Sequence, residues 1–251
     1  MSDVSVSDLD FGYTWPWTHG HLVLAALFGA LSLLVWVRTQ SWWGTGVLAA
    51  GATWMLAGFF IVHYAFAANA PLPPPPGAFL RSPGGRVLDM GSGSGRAALM
   101  VLSNRPGTTV VALDDWSAGY IDANGPARLM ANLRVAGVDQ RAEVRDGDMR
   151  ALPFEASSFD AIVSTYAIDH LDEQGIRQAL AEAHRVLRPG GQLLVLVMNR
   201  DAWATVAYGP LFWLHGRRTT PSYWRAQLVD AGFSIAEEGT SPGTAFFLGG
   251  R

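Results

Sequence analysis

From Thr39 to Leu80 the chain contains no Asp, Glu or Arg, and lysine is absent throughout. Two long apolar runs lie in or beside this charge-free stretch: HLVLAALFGALSLLVWV over His21–Val37 and GVLAAGATWMLAGFFIVHYAFAA over Gly46–Ala68. A helix crossing a bilayer needs ~20 mainly apolar residues, ~17 at the short limit. The second run meets this easily and the first only just. Neither carries a polar stripe, so neither reads as an amphipathic surface helix. Tyr13, Trp15 and Trp17 precede the first run, and Trp42 and Trp43 sit between the two, as in interfacial belts. The alternative is a pair of buried core helices, but the 174 residues from Ala78 to Arg251 are few to wrap two helices apolar all round. A cleaved signal peptide fits less well, because nothing before residue 21 is basic. The expectation is a transmembrane hairpin, about 21–37 and 46–68, with both chain ends on one side. An N-terminal segment 1–70 would then lead through PLPPPPG (Pro71–Gly77), an extended polyproline spacer, to a second unit over 78–251.

Composition supports the division. Residues 1–77 hold one basic residue, Arg38, and three acidic ones, Asp3, Asp8 and Asp10, out of 18 and 21 in the whole chain. The net charge of −3 argues against a nucleic-acid surface. Zero cysteine excludes disulfides, zinc–thiolate sites, iron–sulfur clusters and a thiol nucleophile, and no metal site is expected. Without lysine there is no Schiff-base chemistry.

Past the spacer, β-rich runs occur at Gly85–Met90, Thr108–Leu113, Ala142–Arg145, Ala161–Ser164, Gln192–Met198, Ser234–Glu238 and Thr244–Leu248. Helical stretches such as Ala123–Ala136 and Gln174–Leu187 lie between most of them. This alternation predicts an α/β domain: a seven-stranded, mostly parallel Rossmann-like sheet with helices on both faces. Only SPG separates the last two runs, which predicts an antiparallel pair.

VLDMGSGSGRAA, Val87–Ala98, is a strand ending in a glycine-rich turn that opens a helix. Gly91, Gly93 and Gly95 permit positive φ and close approach of a ligand to the backbone, as dinucleotide sites also require. Asp89 is a poor neighbour for a pyrophosphate and a good one for a cationic ammonium. Here the chain resembles the class I S-adenosylmethionine-dependent methyltransferases, whose signature sets an acidic residue two before the first glycine of GxGxG. VVALDDW (Val110–Trp116), RDGDMRALPFEASSFDAIVS (Arg145–Ser164) and VLRPGGQLLVLV (Val186–Val197) follow in family order. The resemblance covers about 84–248 and leaves out the hairpin. It implies that the turn with Asp89 and Ser92 meets the methionine part of the cofactor. Asp114, 23 residues after Gly91, would accept the ribose hydroxyls, with Asp115 as competitor. Trp116 would wall the adenine, or simply pack. Asp148 would accept from the adenine amino group beside Met149, and Ser164 ends the fourth strand of the cofactor set.

The sulfonium already carries the activation, so positioning of the acceptor supplies much of the rate. A base is needed only if the acceptor must first lose a proton. STYAIDHL (Ser164–Leu171) supplies Tyr166, Asp169 and His170, of which the imidazole is the best base. Each also has a purely structural alternative. DAWATVAYGPLFWL (Asp201–Leu214) is too short to span and reads as an interfacial segment or lid, or as a loop packed on the sheet. His215, Arg217 and Arg218 follow it and are placed to meet lipid phosphates. His63 and Tyr64 either face the acceptor or bond between helices.

The expected protein is an integral membrane enzyme moving a methyl group to a lipophilic small molecule or lipid, with S-adenosylhomocysteine as by-product. Cofactor supply puts the catalytic unit and the N-terminus on the cytosolic side of the cytoplasmic membrane. Arg81 and Arg86 agree with that orientation, and Arg38 argues against it. The rival expectations are a membrane-tethered cofactor-binding scaffold or sensor, and an anchored enzyme with a soluble substrate. Oligomeric state is open.

Overall fold

The computed structural model describes residues 8–67, 69–80, 84–209 and 219–251. Arg81, His215, Arg217, Arg218 and the end of the 201–214 segment lie outside the described residues.

Helix α1 (Trp15–Thr39) opens with Pro16 in its first turn, where a missing N–H costs nothing. It closes at Gln40 in the left-handed conformation. Ser41 caps helix α2 (Trp42–Phe60), its hydroxyl accepting from Gly44 N at 3.3 Å. Only Gln40 and Ser41 separate the helices. The connection between the two expected spans, residues 38–45, is therefore mostly helix, because the Ser cap starts α2 early. Both helices begin or end beyond the runs read from hydropathy, and α2 passes into a π-helical turn, Ile61–Ala65. Counting that turn, the two are 25 and 24 residues long, and by length and composition each is able to cross a membrane. At 1.5 Å per residue they reach ~36 Å against a hydrocarbon core of ~30 Å. They pack on each other through small residues: Gly51 lies against the Phe28 ring and Ser32 Oγ donates to Thr45 O at 2.9 Å. Leu27, Leu33, Val37, Val47 and Phe60 point outward, each more than half exposed.

The sheet contains β1 (Gly85–Met90), β2 (Thr108–Asp114), β3 (Ala142–Asp146), β4 (Phe159–Thr165), β5 (Leu187–Met198), β6 (Ser234–Ser241) and β7 (Thr244–Gly250). Its order is β3-β2-β1-β4-β5-β7-β6. β1 to β5 pair in parallel, and β7 runs antiparallel to both β5 and β6. The helices are α3 (Arg96–Asn104), α4 (Pro126–Val135), α5 (Glu173–Val186), α6 (Ala202–Tyr208) and α7 (Pro221–Asp230). Side chains alternate across β1. Val87 joins Leu99, Leu129 and Leu133 on the α3/α4 face, whereas Leu88 and Met90 join Ile162, Leu180 and Trp224 on the other. The central strands are buried on both faces, which is why they read as nearly unbroken apolar runs.

Strand order reverses between β1 and β4, and a crevice opens beyond the carboxyl ends of parallel strands at such a point. The proline-rich stretch forms neither helix nor strand over residues 71–76, and it is not a free spacer. Leu72 and Phe79 are buried, and Arg105 donates to Phe79 O (2.7 Å) and Pro76 O (3.0 Å). The segment before α1 is also fastened to the sheet domain. Tyr13 forms an antiparallel bridge with Ile121, Thr14 N donates to Tyr120 O at 3.0 Å, and Asp10 pairs with Arg128 at 2.5 Å.

Candidate active site

A cavity of about 910 Å³ fills the crevice, toward the upper end of the ~300–1,000 Å³ usual for small-molecule sites. One wall is the glycine turn after β1. Its shape comes from the backbone: Gly91 N and Ser92 N donate to Leu113 O, and Gly95 N to Ser92 O. Gly91 has φ +83°, and a Cβ there would lie 2.3 Å from the Ala167 Cβ and 2.8 Å from the Met149 Cε. The site therefore admits only hydrogen at that position. Ser92 lines the cavity, and its hydroxyl has no hydrogen-bond partner among the described residues.

Asp114 ends β2 on the cavity wall. Its two carboxylate oxygens accept from Gly93 N at 2.7 Å and Trp116 N at 2.6 Å, and burial raises its pKa above the ordinary carboxylate value. Asp115 also lines the cavity and is exposed, accepting from Ser117 N at 3.0 Å. Asp148 and Met149 line the opposite edge. Arg150 grips both Asp148 oxygens at 2.7–3.0 Å and, through those bonds, lowers its pKa.

Four expected residues sit elsewhere. Asp89 lies behind the turn, fully buried, on the α3 side that the alternation of β1 dictates. One oxygen accepts from Ala98 N at 2.9 Å and the other has no partner among the described residues. Burial lifts its pKa to about 8. Trp116 does not wall the cavity: its φ is +58° and its indole N–H donates to Asp146 at 2.5 Å. Ser164 is buried, tying β4 to β1 through Met90 O at 2.8 Å, while its neighbour Thr165 faces the cavity. Gly95, φ +88°, caps α3 against Leu129 rather than lining the site.

Tyr166, Asp169 and His170 all reach the cavity. Tyr166, with φ +51°, bonds its hydroxyl to Thr244 Oγ1 at 2.7 Å, and burial raises its pKa. Asp169 is half-buried, and desolvation of its carboxylate raises its pKa; one oxygen accepts from Met198 N at 3.0 Å and the other is unpaired among the described residues. The exposed His170 has Nε2 3.3 Å from the Tyr120 hydroxyl and its ring packed on Tyr120 at 5.4 Å. Burial also drives the Tyr120 hydroxyl pKa upward.

Sequence reasoning missed much of the remaining wall: Tyr13, Trp17, Phe66, Arg96, Tyr208 and Thr244. They come from five separated stretches, so no local spacing marks them. The nearest signal was the aromatic cluster before α1. His63 and Tyr64 are not part of the wall. His63 Nδ1 lies 3.0 Å from Phe59 O, and Tyr64 is 76% exposed, because the π-turn carries Phe66 inward instead.

A glycine cradle with no room for a Cβ, an unpaired serine hydroxyl and a carboxylate at the next strand end fit a nucleoside ligand lying on backbone. The family model for a methyltransferase domain matches residues 87–191. Residues 87–191 therefore carry a methyltransferase domain. The ubiquinone/menaquinone biosynthesis C-methyltransferase of Dinoroseobacter shibae is 38% identical over 115 residues, 46% of this chain and 43% of that protein. The demethylmenaquinone methyltransferase of Thermus thermophilus is 32% identical over 111 residues, 44% and 46% of the two chains. A probable S-adenosylmethionine-dependent methyltransferase of Mycolicibacterium smegmatis is 28% identical over 157 residues, 62% and 55%. The chain thus spans about half the length of these curated relatives. Among solved structures, an S-adenosylmethionine-dependent methyltransferase of Methanosarcina mazei shares the fold, with TM-score 0.57 and 20% identity over 72% of this chain and 98% of that one. So does the [4+2]-cyclase SpnF, with TM-score 0.56 and 18% identity over 79% and 95%. Two chemistries on one scaffold mean that the activity must be argued from the cavity.

Proposed function

We propose that the protein is an integral membrane methyltransferase acting on a lipophilic acceptor, and that a quinol-type ring is the acceptor class its relatives' names favour. The observation that carries this reading is that one cavity has the glycine turn and Asp114 on one side and side chains from the foot of the apolar hairpin on the other. Residues 1–70 act as the anchor, 71–77 connect, and 78–251 are the catalytic unit, with that unit and the N-terminus facing the cytosol. Leu27, Leu33, Val37 and Val47 face lipid in this arrangement.

When bound, S-adenosylmethionine supplies an electrophilic methyl group on a sulfonium, and S-adenosylhomocysteine is left once the methyl has joined the acceptor's nucleophilic atom. The chain's own residues hold and orient. Ser92 and the amides around Gly91 and Gly93 take the amino-acid end, and Asp114, with Asp115 beside it, takes the ribose hydroxyls. Asp148 and Met149 border the base. Asp89 acts from behind, fixing the first turn of α3 through Ala98 N. Burying a carboxylate that has one unpaired oxygen is costly, and a cationic ligand on the far side of the turn offsets part of that cost. On the acceptor side, Tyr166 and Asp169 orient the nucleophile. His170, at the cavity wall, takes the proton that an acceptor carbon or hydroxyl must shed.

Calorimetry of the full chain in detergent with S-adenosylhomocysteine is expected to show saturable one-site binding, and alkaline carbonate is expected to leave the chain in the membrane pellet. No heat of binding would end the enzyme reading, and release into the supernatant would end the integral one. His170→Ala is expected to lower turnover at pH 7 by about 10²–10⁴-fold with by-product affinity unchanged. Unchanged turnover would remove the base.

A further inference from the structure

The cavity is larger than one wall of cofactor loops requires, and its second half is built by the hairpin. The aromatic rings form a continuous series. Phe66 stacks on Tyr208 at 5.8 Å, Tyr208 meets Trp17 at 6.4 Å, and Trp17 stacks on Tyr13 at 5.1 Å. Tyr13 lies parallel to Tyr120 at 6.3 Å, which carries the series to His170. Trp17 lies in the first turn of α1 and Phe66 just after the π-turn of α2, so two members stand at the base of the apolar hairpin. Phe66 is seated by a fit with the sheet: a Cβ on Gly243, in the β6–β7 turn, would lie 2.4 Å from its ring.

The third element, α6, is fixed to the hairpin and not only to the sheet. Its carbonyls at Val206 and Ala207 meet Trp54 Nε1 of α2 at 2.7 Å and His21 Nε2 of α1 at 2.6 Å. A short helix whose terminal carbonyls are satisfied by two apolar helices is held in register with them. The polar groups on this side include the Tyr166–Thr244 hydroxyl pair, the Asp169 oxygen that has no partner among the described residues, and the Arg96 guanidinium, which donates to the Tyr13 hydroxyl at 3.1 Å.

We infer that the acceptor subsite is the compartment between hairpin and sheet, walled by Trp17, Phe66 and Tyr208. It takes a flat ring head group bearing a hydroxyl, delivered with its apolar tail still in the bilayer. Aromatic walls favour offset or edge contact with such a ring, worth about 0.5–1.5 kcal/mol per pair beyond burial. A hydroxyl on the ring meets Tyr166, Thr244 or Asp169. The hairpin is then a structural part of the substrate site as well as a tether. This rests on the methyltransferase reading above.

The test uses the full chain in detergent, a total lipid extract of the source membranes and methyl-tritiated S-adenosylmethionine, with organic-phase label as one readout and calorimetry with S-adenosylhomocysteine as the other. Trp17→Ala and Phe66→Ala are expected to cut organic-phase label at least tenfold at limiting extract and to recover with excess extract, with by-product affinity within twofold of the parent. Trp17→Phe, which keeps a ring in place, is expected to restore most of the rate and shows that the loss is not misfolding. Parent-like labelling by both alanine variants at limiting extract would overturn the subsite. So would by-product affinity falling in step with turnover, or label confined to water-soluble products. Absence of by-product binding by the parent chain would instead overturn the methyltransferase reading itself.

Discussion

The two walls of the cavity are made in different ways. The cofactor wall comes from short, continuous stretches: a glycine turn, the acid at the end of β2 and the loop around Asp148 and Met149. Its shape is set by backbone hydrogen bonds such as Gly91 N and Ser92 N to Leu113 O. The acceptor wall comes from Tyr13, Trp17, Phe66, Tyr166, Tyr208 and Thr244, which meet only when hairpin, sheet and α6 are assembled. A wall made of backbone tolerates few substitutions and keeps one ligand. A wall made of side chains from several elements can be changed one ring at a time, so specificity is expected to vary there.

Replacing Gly91 with Val should break the cofactor wall outright. Positive φ and a Cβ 2.3 Å from Ala167 leave no accommodating shift, and calorimetry should detect no by-product binding, a loss exceeding about 100-fold. Asp114→Ala should weaken by-product binding by about 10–100-fold, as expected for losing charge-assisted hydrogen bonds of about 1.5–3 kcal/mol. A change of less than threefold would pass the ribose role to Asp115.

Asp89 sharpens the comparison through pH. Its folded pKa of about 8 lies above the ordinary carboxylate value, so the folded chain holds the proton more tightly than the unfolded one. The stability it contributes is complete below about pH 4 and is lost as pH rises to about 8. In the ligand-free chain, the Tm of Asp89→Asn relative to the parent should therefore rise between pH 5 and pH 8. A constant difference would mean that the carboxylate is ionised throughout. The smallest effect belongs to Asp10→Ala. Its pairing with Arg128 fastens the N-terminal segment beside the acceptor wall, but the Asp10 side chain is 76% exposed. The loss should stay under about 1 kcal/mol, a Tm shift of about 2 °C that salt further reduces.

The same contrast decides what was legible in the sequence. All seven strands overlap the runs read from the sequence; the central ones are legible because parallel strands buried on both faces must be apolar runs, and β1 agrees residue for residue. Asp114 was legible because it ends such a run. Trp116 follows the packing alternative, because strand-end position does not fix a side chain's direction and its positive φ turns the indole toward Asp146. Ser164 was one residue off for the same reason of alternation: Thr165 is its outward neighbour. In the hairpin, hydropathy found the helices but not their phase. The π-turn rotates the chain, and Phe66 rather than Tyr64 enters the cavity. Proline content was silent about the burial of Leu72 and Phe79, beside which Arg105 donates to the Phe79 and Pro76 carbonyls.

Tyr166 leans on Thr244, and Thr244 opens the last strand, whereas Tyr13 stands near the first residues of the chain. A ribosome releases these two ends far apart in time. The apolar helices leave the tunnel early, yet the pocket they help enclose stays open until β7 has slotted between β5 and β6. A nascent chain interrupted anywhere before that point has its two apolar helices but no finished chamber.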